Sequence, residues 1–192
     1  AGGLGTRMKH LTSQTPKPLV RANGVPLIER VVRHCAYHGL SNISVILHHK
    51  FEEIIEFLGN GEKFGVTFDF VVEDTALNTI GGVGLIEALE PSQYPIFVIN
   101  SDVITDVDYT KMCHRAKNLD QKSALVGLSQ VETQYSFGVV DISPDLGITA
   151  VVEKPVFKHR VLAGVYLLSE DAHKMLRPVG HRSAPDFLNE LL

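Results

Sequence analysis

The chain has 192 residues, a formal net charge of −4, and 44% hydrophobic against 21% charged residues. Its length suits one folded domain with a substantial core, and its composition excludes a disordered or fibrous protein. The acidic balance argues against a nucleic-acid partner, because such a surface needs a basic stripe to meet the phosphates.

Membrane and secretory signals are not found in the sequence. No apolar run approaches the roughly 20 residues of a membrane-spanning helix, and no charged-then-apolar leader is seen. Cys35 and Cys113 both fall in predicted helices, where small buried thiols suit the pattern better than a disulfide framework does. These observations predict a cytoplasmic protein without a membrane partner.

The first half of the chain alternates predicted helices and strands. Asn23-Gly24 is a turn signal, and the apolar residues after Pro26 recur with helical spacing until Gly39, a plausible helix cap. The predicted elements that follow are a helix over 27–36, a strand over 43–47, a helix over 51–58, a strand over 66–72, a helix over 82–89 and a strand over 95–99. This order is that of βαβ units.

The predicted sheet changes character along the chain. Residues 95–99 are apolar at nearly every position, which predicts a strand buried on both faces of a parallel sheet. Later strands are predicted over 124–128, 137–142, 148–153 and 161–168, where we expect mixed pairing. The fold class is therefore α/β, a three-layer Rossmann-like arrangement with a mixed, mainly parallel sheet and helices on both faces.

The strongest local signal is the glycine-rich start of the chain, residues 1–9, followed by Thr15-Pro16-Lys17-Pro18-Leu19. Glycines let backbone N–H groups approach phosphate oxygens, and Arg7 and Lys17 add positive charge. Met8 stands where a dinucleotide-binding loop needs its third glycine, and the Gly-Lys-Ser/Thr of a P-loop is missing. Glycines alone would indicate only a flexible terminus, but the two cations favour an anion site.

Asp102 follows the predicted strand 95–99 almost directly. Ligands of open α/β sheets bind outside the carboxyl ends of strands, so this carboxylate is placed to bind Mg²⁺ together with substrate phosphates. A helix-capping or turn role is the alternative, and Asp106 and Asp108 compete for either assignment.

A third group of polar residues lies among the later strands. Glu153-Lys154 ends one predicted strand, while Gly138 and Gly164 lie in Phe-Gly-Val-Val and Ala-Gly-Val-Tyr. A carboxylate can accept hydrogen bonds from two sugar hydroxyls, a lysine can meet a phosphate, and glycines allow close approach of a sugar ring. Taken singly, each residue is equally well explained as a solvated charge or a turn glycine.

In this order and spacing, the motifs resemble the sugar-1-phosphate nucleotidyltransferase family. The matching segments are the G-G-x-G-T-R loop, T-P-K-P-L, a Leu-x-Thr-x-Gly-Gly segment, N-x-D after a strand, Y/F-G-V-V, E-K-P and A-G-V-Y. The resemblance covers essentially the whole chain. Thr133-Gln134-Tyr135 and Ala184-Pro185-Asp186 are most similar to members of the mannose-1-phosphate guanylyltransferase type, including those fused to a pair of CBS domains.

The resemblance implies transfer of a nucleotidyl group from a nucleoside triphosphate, with GTP favoured, to a sugar 1-phosphate, with release of pyrophosphate. It implies Mg²⁺ bound by Asp102, Arg7 on the leaving pyrophosphate and Lys17 on the transferring phosphate. The implied nucleotide-binding residues are Gly2, Gly3, Gly5, Thr6, Glu73, Asn78 and Thr79. The implied sugar-phosphate-binding residues are Gly138, Glu153, Lys154 and Gly164.

On the same basis we expect a single nucleotidyltransferase catalytic domain over residues 1–192, lacking its first strand and its C-terminal segment. A homo-oligomer, and a CBS pair outside the segment, are compatible with the resemblance. The sequence departs from the family pattern at three positions: Asn78 and Ser101 replace glycines, and Leu162 replaces a frequent asparagine. A second metal-binding aspartate of the family would fall beyond Leu192. Base and sugar identity therefore stay open.

Two other functions are weighed against this one. A nucleotide-sugar-binding regulatory subunit without activity is suggested by Asn78 and Ser101, although the retained charged residues speak against it. A histidine metalloprotein is suggested by His34 and His38, one helical turn apart, and by His48-His49. Neighbouring Arg30 would repel a metal, and no second ligand set has metal-site spacing.

Overall fold

The computed structural model describes residues 15–87, 89–117 and 123–192. The chain divides into two compact units. Ala1–Val126 and Gly164–Leu192 form the main unit, and Gly127–Ala163 form the hairpin unit. All helices of the described residues belong to the main unit.

The helices are α1 (Leu27–Tyr37), α2 (Phe51–Leu58), α3 (Asn78–Gly81), α4 (Tyr109–Ala116), α5 (Glu170–Lys174) and α6 (Ala184–Leu191). The strands are β1 (Arg21–Ala22), β2 (Val25–Pro26), β3 (Asn42–Leu47), β4 (Thr67–Val72), β5 (Ile96–Ile99), β6 (Ala124–Gln134), β7 (Val139–Ile142), β8 (Ile148–Val152) and β9 (Val156–Leu168). The predicted helices over 27–36 and 51–58 and the predicted strands over 43–47 and 66–72 are confirmed within two residues at each end.

The N-terminal βαβ unit consists of β3, α2 and β4. Its strands are parallel, with Asn42 paired with Thr67 at one end and Leu47 with Val72 at the other. On α2, Ile54 and Leu58 are one turn apart and fully buried against β3. The apolar stripe of this helix therefore fixes the crossover on the sheet.

The second sheet has the order β5–β9–β6. Its β5 is antiparallel to β9, with Ile96 paired with Leu168. The prediction that residues 95–99 form a strand buried on both faces of a parallel sheet is thus wrong. All four β5 residues are only half-buried, because a pocket runs along the strand. An apolar run cannot reveal the direction of the neighbouring strand.

The end of β9 lies between two layers of helices. Val165 and Leu167 pack in one core cluster with α4, through residues such as Tyr109. Tyr166 and Leu168 pack in another with α5 and α6. Because alternate strand residues point to opposite faces, this pattern places helices on both sides of the sheet. The predicted mixed α/β class is confirmed.

The predicted helix over 82–89 is wrong in extent. The short helix α3 continues as a 3₁₀ turn, Gly82–Leu85, and Ile86 has extended backbone angles. Three glycines, Gly81, Gly82 and Gly84, lower the helix propensity of this segment, so tertiary packing decides its conformation. Leu89 lies beyond the turn, and residue 88 is outside the described residues.

The hairpin unit contains β7 and β8 as an antiparallel pair, with Val139 opposite Val152. The Ser143 N–H closes the connecting turn by donating a hydrogen bond to the Gly147 carbonyl at 2.9 Å. The strands predicted over 137–142 and 148–153 are confirmed. Those predicted over 124–128 and 161–168 form longer strands, β6 and β9.

Cys35 is buried in α1 and Cys113 half-buried in α4, and both are free thiols, as predicted. Among the residues that the structure describes, no helix combines the length and the apolar character needed to cross a membrane.

Candidate active site

The centre of the site is an ion pair between the Lys17 ammonium and the Asp102 carboxylate. Both side chains are about two-thirds buried, with 31% and 28% of their surfaces exposed. The structure therefore brings together two residues that the sequence analysis assigned to one catalytic centre.

Short backbone turns hold both partners. Lys17 begins a 3₁₀ turn between two prolines, in which the Leu19 N–H donates to the Pro16 carbonyl at 2.8 Å and Pro18 is buried. Because the proline rings restrict the backbone, the turn limits where the lysine can point. Asp102 lies in a turn after β5.

The helix-capping role considered for Asp102 belongs to a different aspartate. Asp108 is the N-cap of α4, and its carboxylate accepts a hydrogen bond from the Lys111 N–H at 2.9 Å. That hydrogen bond is the main reason why the pKa of Asp108 lies below its usual value. Asp106 is exposed. Of the three aspartates, Asp102 is the one that contacts Lys17.

A pocket of about 880 Å³ in the main unit is lined by Lys17 and Asp102 together with Glu73, Asn78 and Thr79. The pocket also extends between β3 and β5. Glu73 is 8% exposed, and its carboxylate has no hydrogen-bond partner among the described residues. Five residues predicted to have catalytic or nucleotide-binding roles thus line one cavity.

Asn78 has a backbone φ of +68°. This left-handed conformation favours glycine, and asparagine is among the few other residues that tolerate it. The side-chain oxygen Oδ1 of Asn78 accepts hydrogen bonds from the Thr79 N–H at 2.8 Å and from the Thr79 hydroxyl at 3.2 Å. Asparagine therefore preserves the backbone shape at this departure from the family pattern. Ser101, by contrast, has no positive φ, so no glycine is required there.

Two glycines permit close packing around the pocket. A Cβ on Gly82 would collide with the Glu73 carboxylate, so this glycine lets the buried acid lie against the backbone. Gly164 has φ +73°, and a Cβ there would lie 2.7 Å from the Asn100 amide nitrogen. The Asn100 N–H also donates to the Gly164 carbonyl at 2.9 Å. Gly164 is therefore fixed against the turn that carries Asp102.

Three of the predicted sugar-phosphate residues lie together in the hairpin unit. A Cβ on Gly138 would be 3.3 Å from the Glu153 carboxylate, and the Lys154 ammonium lies 3.9 Å from that carboxylate. Both charged side chains are largely exposed. The fourth residue, Gly164, belongs to the main unit. Gly2, Gly3, Gly5, Thr6 and Arg7 lie outside the described residues.

Three of the four histidines singled out by their spacing are occupied by hydrogen bonds. His34 contacts the Val107 carbonyl at 2.8 Å, His38 the Thr110 hydroxyl at 3.2 Å and His48 the Glu73 carbonyl at 3.0 Å. The described residues contain no group of three or more potential metal ligands from His, Cys, Asp and Glu.

One carboxylate is nevertheless enough for Mg²⁺ where substrate phosphates supply further ligands, and Asp102 fits that mode.

Sequence reasoning missed the hydrogen bonds of one buried side chain, His173. His173 is 2% exposed and lies between the Tyr94 hydroxyl, at 2.8 Å, and the Val83 carbonyl, at 3.3 Å. These residues are far apart in the sequence and share no motif or periodic pattern. The signal available was a histidine in the short and mostly charged helix α5, which does not identify its partners.

A sheet covered by helices on both faces, with a pocket beside its strands, defines a Rossmann-like α/β protein. The chain belongs to the nucleotidyl transferase family, whose model matches residues 1–191. The family resemblance drawn from the motifs is thereby confirmed.

Three similar proteins illustrate the relationship. A mannose-1-phosphate guanyltransferase of Debaryomyces hansenii is 35% identical over 175 residues, which are 88% of this chain and 48% of that protein. HddC of Yersinia pseudotuberculosis in complex with GMP-PN is 26% identical with a TM-score of 0.66, covering 95% of this chain and 80% of HddC. A candidate glucose-1-phosphate thymidylyltransferase of Bacillus anthracis, crystallised with sucrose, is 27% identical with a TM-score of 0.70, covering 100% and 80%. The chain spans about half the length of the curated relatives that it matches.

Proposed function

We propose that the protein transfers a nucleotidyl group from a nucleoside triphosphate to a sugar 1-phosphate, forming a nucleotide sugar and pyrophosphate. The observation that carries this proposal is the Lys17–Asp102 contact at a pocket that Glu73, Asn78 and Thr79 also line. A cation and a carboxylate beside polar groups suit a ligand that has both phosphates and a base. The shared family supports the same reaction.

In the proposed reaction a phosphate oxygen of the sugar 1-phosphate attacks the α-phosphorus of the triphosphate. The new P–O bond forms as the bond to the β-phosphate oxygen breaks, and the electron pair leaves with pyrophosphate. The attacking oxygen is already an anion, so no general base is required. The barrier is chiefly the repulsion between two polyanions, and Lys17 is the described cation best placed to lower it.

Asp102 is the residue that would hold Mg²⁺ in this reaction. When bound, Mg²⁺ neutralises phosphate charge. Asp102 already holds the Lys17 ammonium at the pocket, so the carboxylate has two roles in this proposal: it binds the ion and positions the lysine. Arg7 and the glycine-rich residues Gly2, Gly3, Gly5 and Thr6 are proposed to contact the triphosphate.

We propose that Asn78 contributes to base recognition. Its carbonyl oxygen is bonded to Thr79, whereas its amide nitrogen has no partner among the described residues and can donate hydrogen bonds into the pocket. Guanine presents two acceptors, O6 and N7, on one edge, and adenine presents a donor at the position of O6. An amide donor therefore favours GTP, in agreement with the mannose-1-phosphate guanyltransferases to which the chain is similar.

The sugar 1-phosphate is proposed to bind Gly138, Glu153, Lys154 and Gly164. Glu153 can accept hydrogen bonds from two sugar hydroxyls, and Lys154 can pair with the phosphate. The neighbouring positions of Gly138, Glu153 and Lys154 in the hairpin unit support a shared role for these three.

The proposal is tested by measuring pyrophosphate release from the full-length protein with Mg²⁺, across GTP, ATP, UTP and dTTP and a set of hexose 1-phosphates. We expect the highest kcat/KM with GTP and mannose 1-phosphate. Nucleotide binding without pyrophosphate release from any pair would identify the protein as a regulatory subunit and contradict the proposed activity.

We further propose a cytoplasmic location, which the free thiols of Cys35 and Cys113 support because that compartment is reducing. A homo-oligomer and a fused CBS pair are proposed on the resemblance to the family. Light scattering on the full-length protein and the sequence of its complete gene test these two points.

A further inference from the structure

The 77–85 segment carries Asn78 and Thr79. Its backbone is hydrogen-bonded to a part of the chain that follows β9. The Arg182 N–H donates to the Leu77 carbonyl at 3.0 Å, and the Arg182 carbonyl accepts from the N–H groups of Ile80 and Gly81, each at 3.3 Å. The backbone of Arg182 is therefore bonded to both ends of α3. Arg182 belongs to none of the sequence motifs.

Glycines bring the same segment into close contact with that chain. A Cβ on Gly81 would collide with the Gly180 carbonyl, and one on Gly84 would collide with the Leu176 carbonyl. Since both obstacles are backbone atoms, neither can move aside easily. The 77–85 segment is thus packed directly against residues 176–182.

His173 provides the third attachment, by a side chain. Its Nε2 lies 3.3 Å from the Val83 carbonyl, which can only accept, so Nε2 carries a proton. In the neutral ring Nδ1 is then an acceptor, and the Tyr94 hydroxyl donates to it at 2.8 Å. The two hydrogen bonds define the tautomer and hold the ring in one orientation. Val83 itself lines the pocket, as Asn78 and Thr79 do.

We propose that His173 is a positioning residue for the nucleotide: through the Val83 carbonyl it sets the conformation of the 77–85 segment, and thereby the placement of Asn78 and Thr79 against the base. This role rests on the proposed function, because it requires that the segment bind a nucleotide. His173 does not line the pocket, so its effect is exerted through the backbone.

Two matched variants test the proposal. In His173→Gln the side-chain amide nitrogen can occupy the position of Nε2 and donate to Val83. In His173→Asn the shorter amide lies near the position of Nδ1 and does not reach Val83. We expect His173→Asn to raise the KM for the nucleoside triphosphate about tenfold, the effect of one net hydrogen bond. The kcat and the KM for the sugar 1-phosphate should change less than about twofold, and His173→Gln should restore most of the loss.

A core substitution controls for general destabilisation. Ile54→Val changes a fully buried residue of the cluster around α2, which contains no residue of the 77–85 segment. Its melting temperature is to be compared with that of His173→Asn. If Ile54→Val raises the nucleotide KM as much as His173→Asn at equal loss of stability, His173 has only a structural role and the proposal is wrong.

Amide hydrogen exchange separates this proposal from the proposed function. We expect exchange in the 77–85 segment to be faster in His173→Asn than in the wild type, and to be restored in His173→Gln, with or without turnover. Unchanged exchange in His173→Asn would overturn the positioning role even in an active enzyme. Faster exchange in a protein that binds no nucleotide would refute the proposed function and, with it, the nucleotide part of the inference.

Discussion

The Lys17 ammonium contacts the Asp102 carboxylate, although one residue lies in the first 3₁₀ turn that the structure describes and the other follows β5. Neither partner takes part in a helix cap, since Asp108 has that role for α4. The ion pair therefore lines the pocket and has no helix-capping role.

Removing either member of this pair should abolish most activity. A unit charge pair at 4 Å is worth about 4 kcal/mol at an effective dielectric of 20, or roughly a thousandfold in rate if it acts only in the transition state. We expect Lys17→Ala and Asp102→Ala to lower pyrophosphate release by about that factor while changing the free energy of unfolding by about 1 kcal/mol or less. Lys111→Ala, which breaks an exposed pair with Asp108, is the control. Near-wild-type rates in Lys17→Ala or Asp102→Ala would refute their catalytic roles.

The backbone conformation of Asn78 predicts different effects for two small substitutions. Asn78→Gly should leave the free energy of unfolding within about 0.5 kcal/mol of the wild type, because glycine adopts φ +68° without strain and this offsets the loss of the two bonds to Thr79. Asn78→Ala should lose about 1–2 kcal/mol, because alanine loses the same bonds and has no polar side chain to stabilise the left-handed backbone. Urea denaturation measures both. Equal stability of the two variants would argue against the left-handed backbone.

The alanine variants of Gly81 and Gly82 should both be destabilised, but only one of them should regain stability from a second substitution. The Cβ of Gly81→Ala meets the Gly180 carbonyl, and we expect a loss of about 1–3 kcal/mol in the free energy of unfolding. The Cβ of Gly82→Ala meets the Glu73 carboxylate first. Shortening that side chain with Glu73→Ala should therefore recover part of the stability of Gly82→Ala and none of that of Gly81→Ala.

Thermal melting of the single and double variants forms the double-mutant cycle for this comparison. Additive effects of Gly82→Ala and Glu73→Ala would mean that the two residues do not touch.

Burial of His173 makes stability depend on pH. Desolvation lowers the pKa of His173 below its ordinary value of 6.5, its bond to the Val83 carbonyl opposes this shift, and Arg177 adds to it. The unfolded chain therefore binds the proton more tightly than the folded one. The stability contributed by neutral His173 is present above pH 6.5 and is lost as the pH falls through that value towards the folded pKa.

Melting curves between pH 7.5 and 5.0 test this sign. The wild type should lose stability over this window more steeply than His173→Gln, which has no titrating group at this position. Parallel curves for the two proteins would show that His173 does not titrate differently on folding.

The two cysteines should react at different rates with a thiol reagent. Burial raises the pKa of Cys35 to about 11, and the side chain is 4% exposed. Burial also raises the pKa of the half-buried Cys113, to a lesser extent. At pH 8 we expect iodoacetamide to label Cys113 slowly and Cys35 only upon unfolding, as followed by peptide mass spectrometry. Rapid labelling of Cys35 in the native protein would contradict its burial, and Cys35→Ala is the control for assignment.

Much of the fold and of the site could be derived from the order of residues. The apolar spacing in α1 and α2 predicts these helices because each segment must bury one face, and that need is encoded in neighbouring residues. Lys17 between two prolines and Asp102 after a strand could be singled out as candidate site residues in the same way, since strand ends carry ligand-binding groups in α/β sheets. The family was recognised from such motifs.

Other features were decided by the tertiary structure alone. The antiparallel β5–β9 pairing, the early end of the helix predicted over 82–89, and the Tyr94–His173–Val83 hydrogen bonds each depend on segments far apart in the chain. Local periodicity records which face of an element is buried, but it does not record which partner buries it or in which direction that partner runs. Those choices follow from packing the whole chain at once, because steric fit and hydrogen-bond satisfaction are properties of the assembled core.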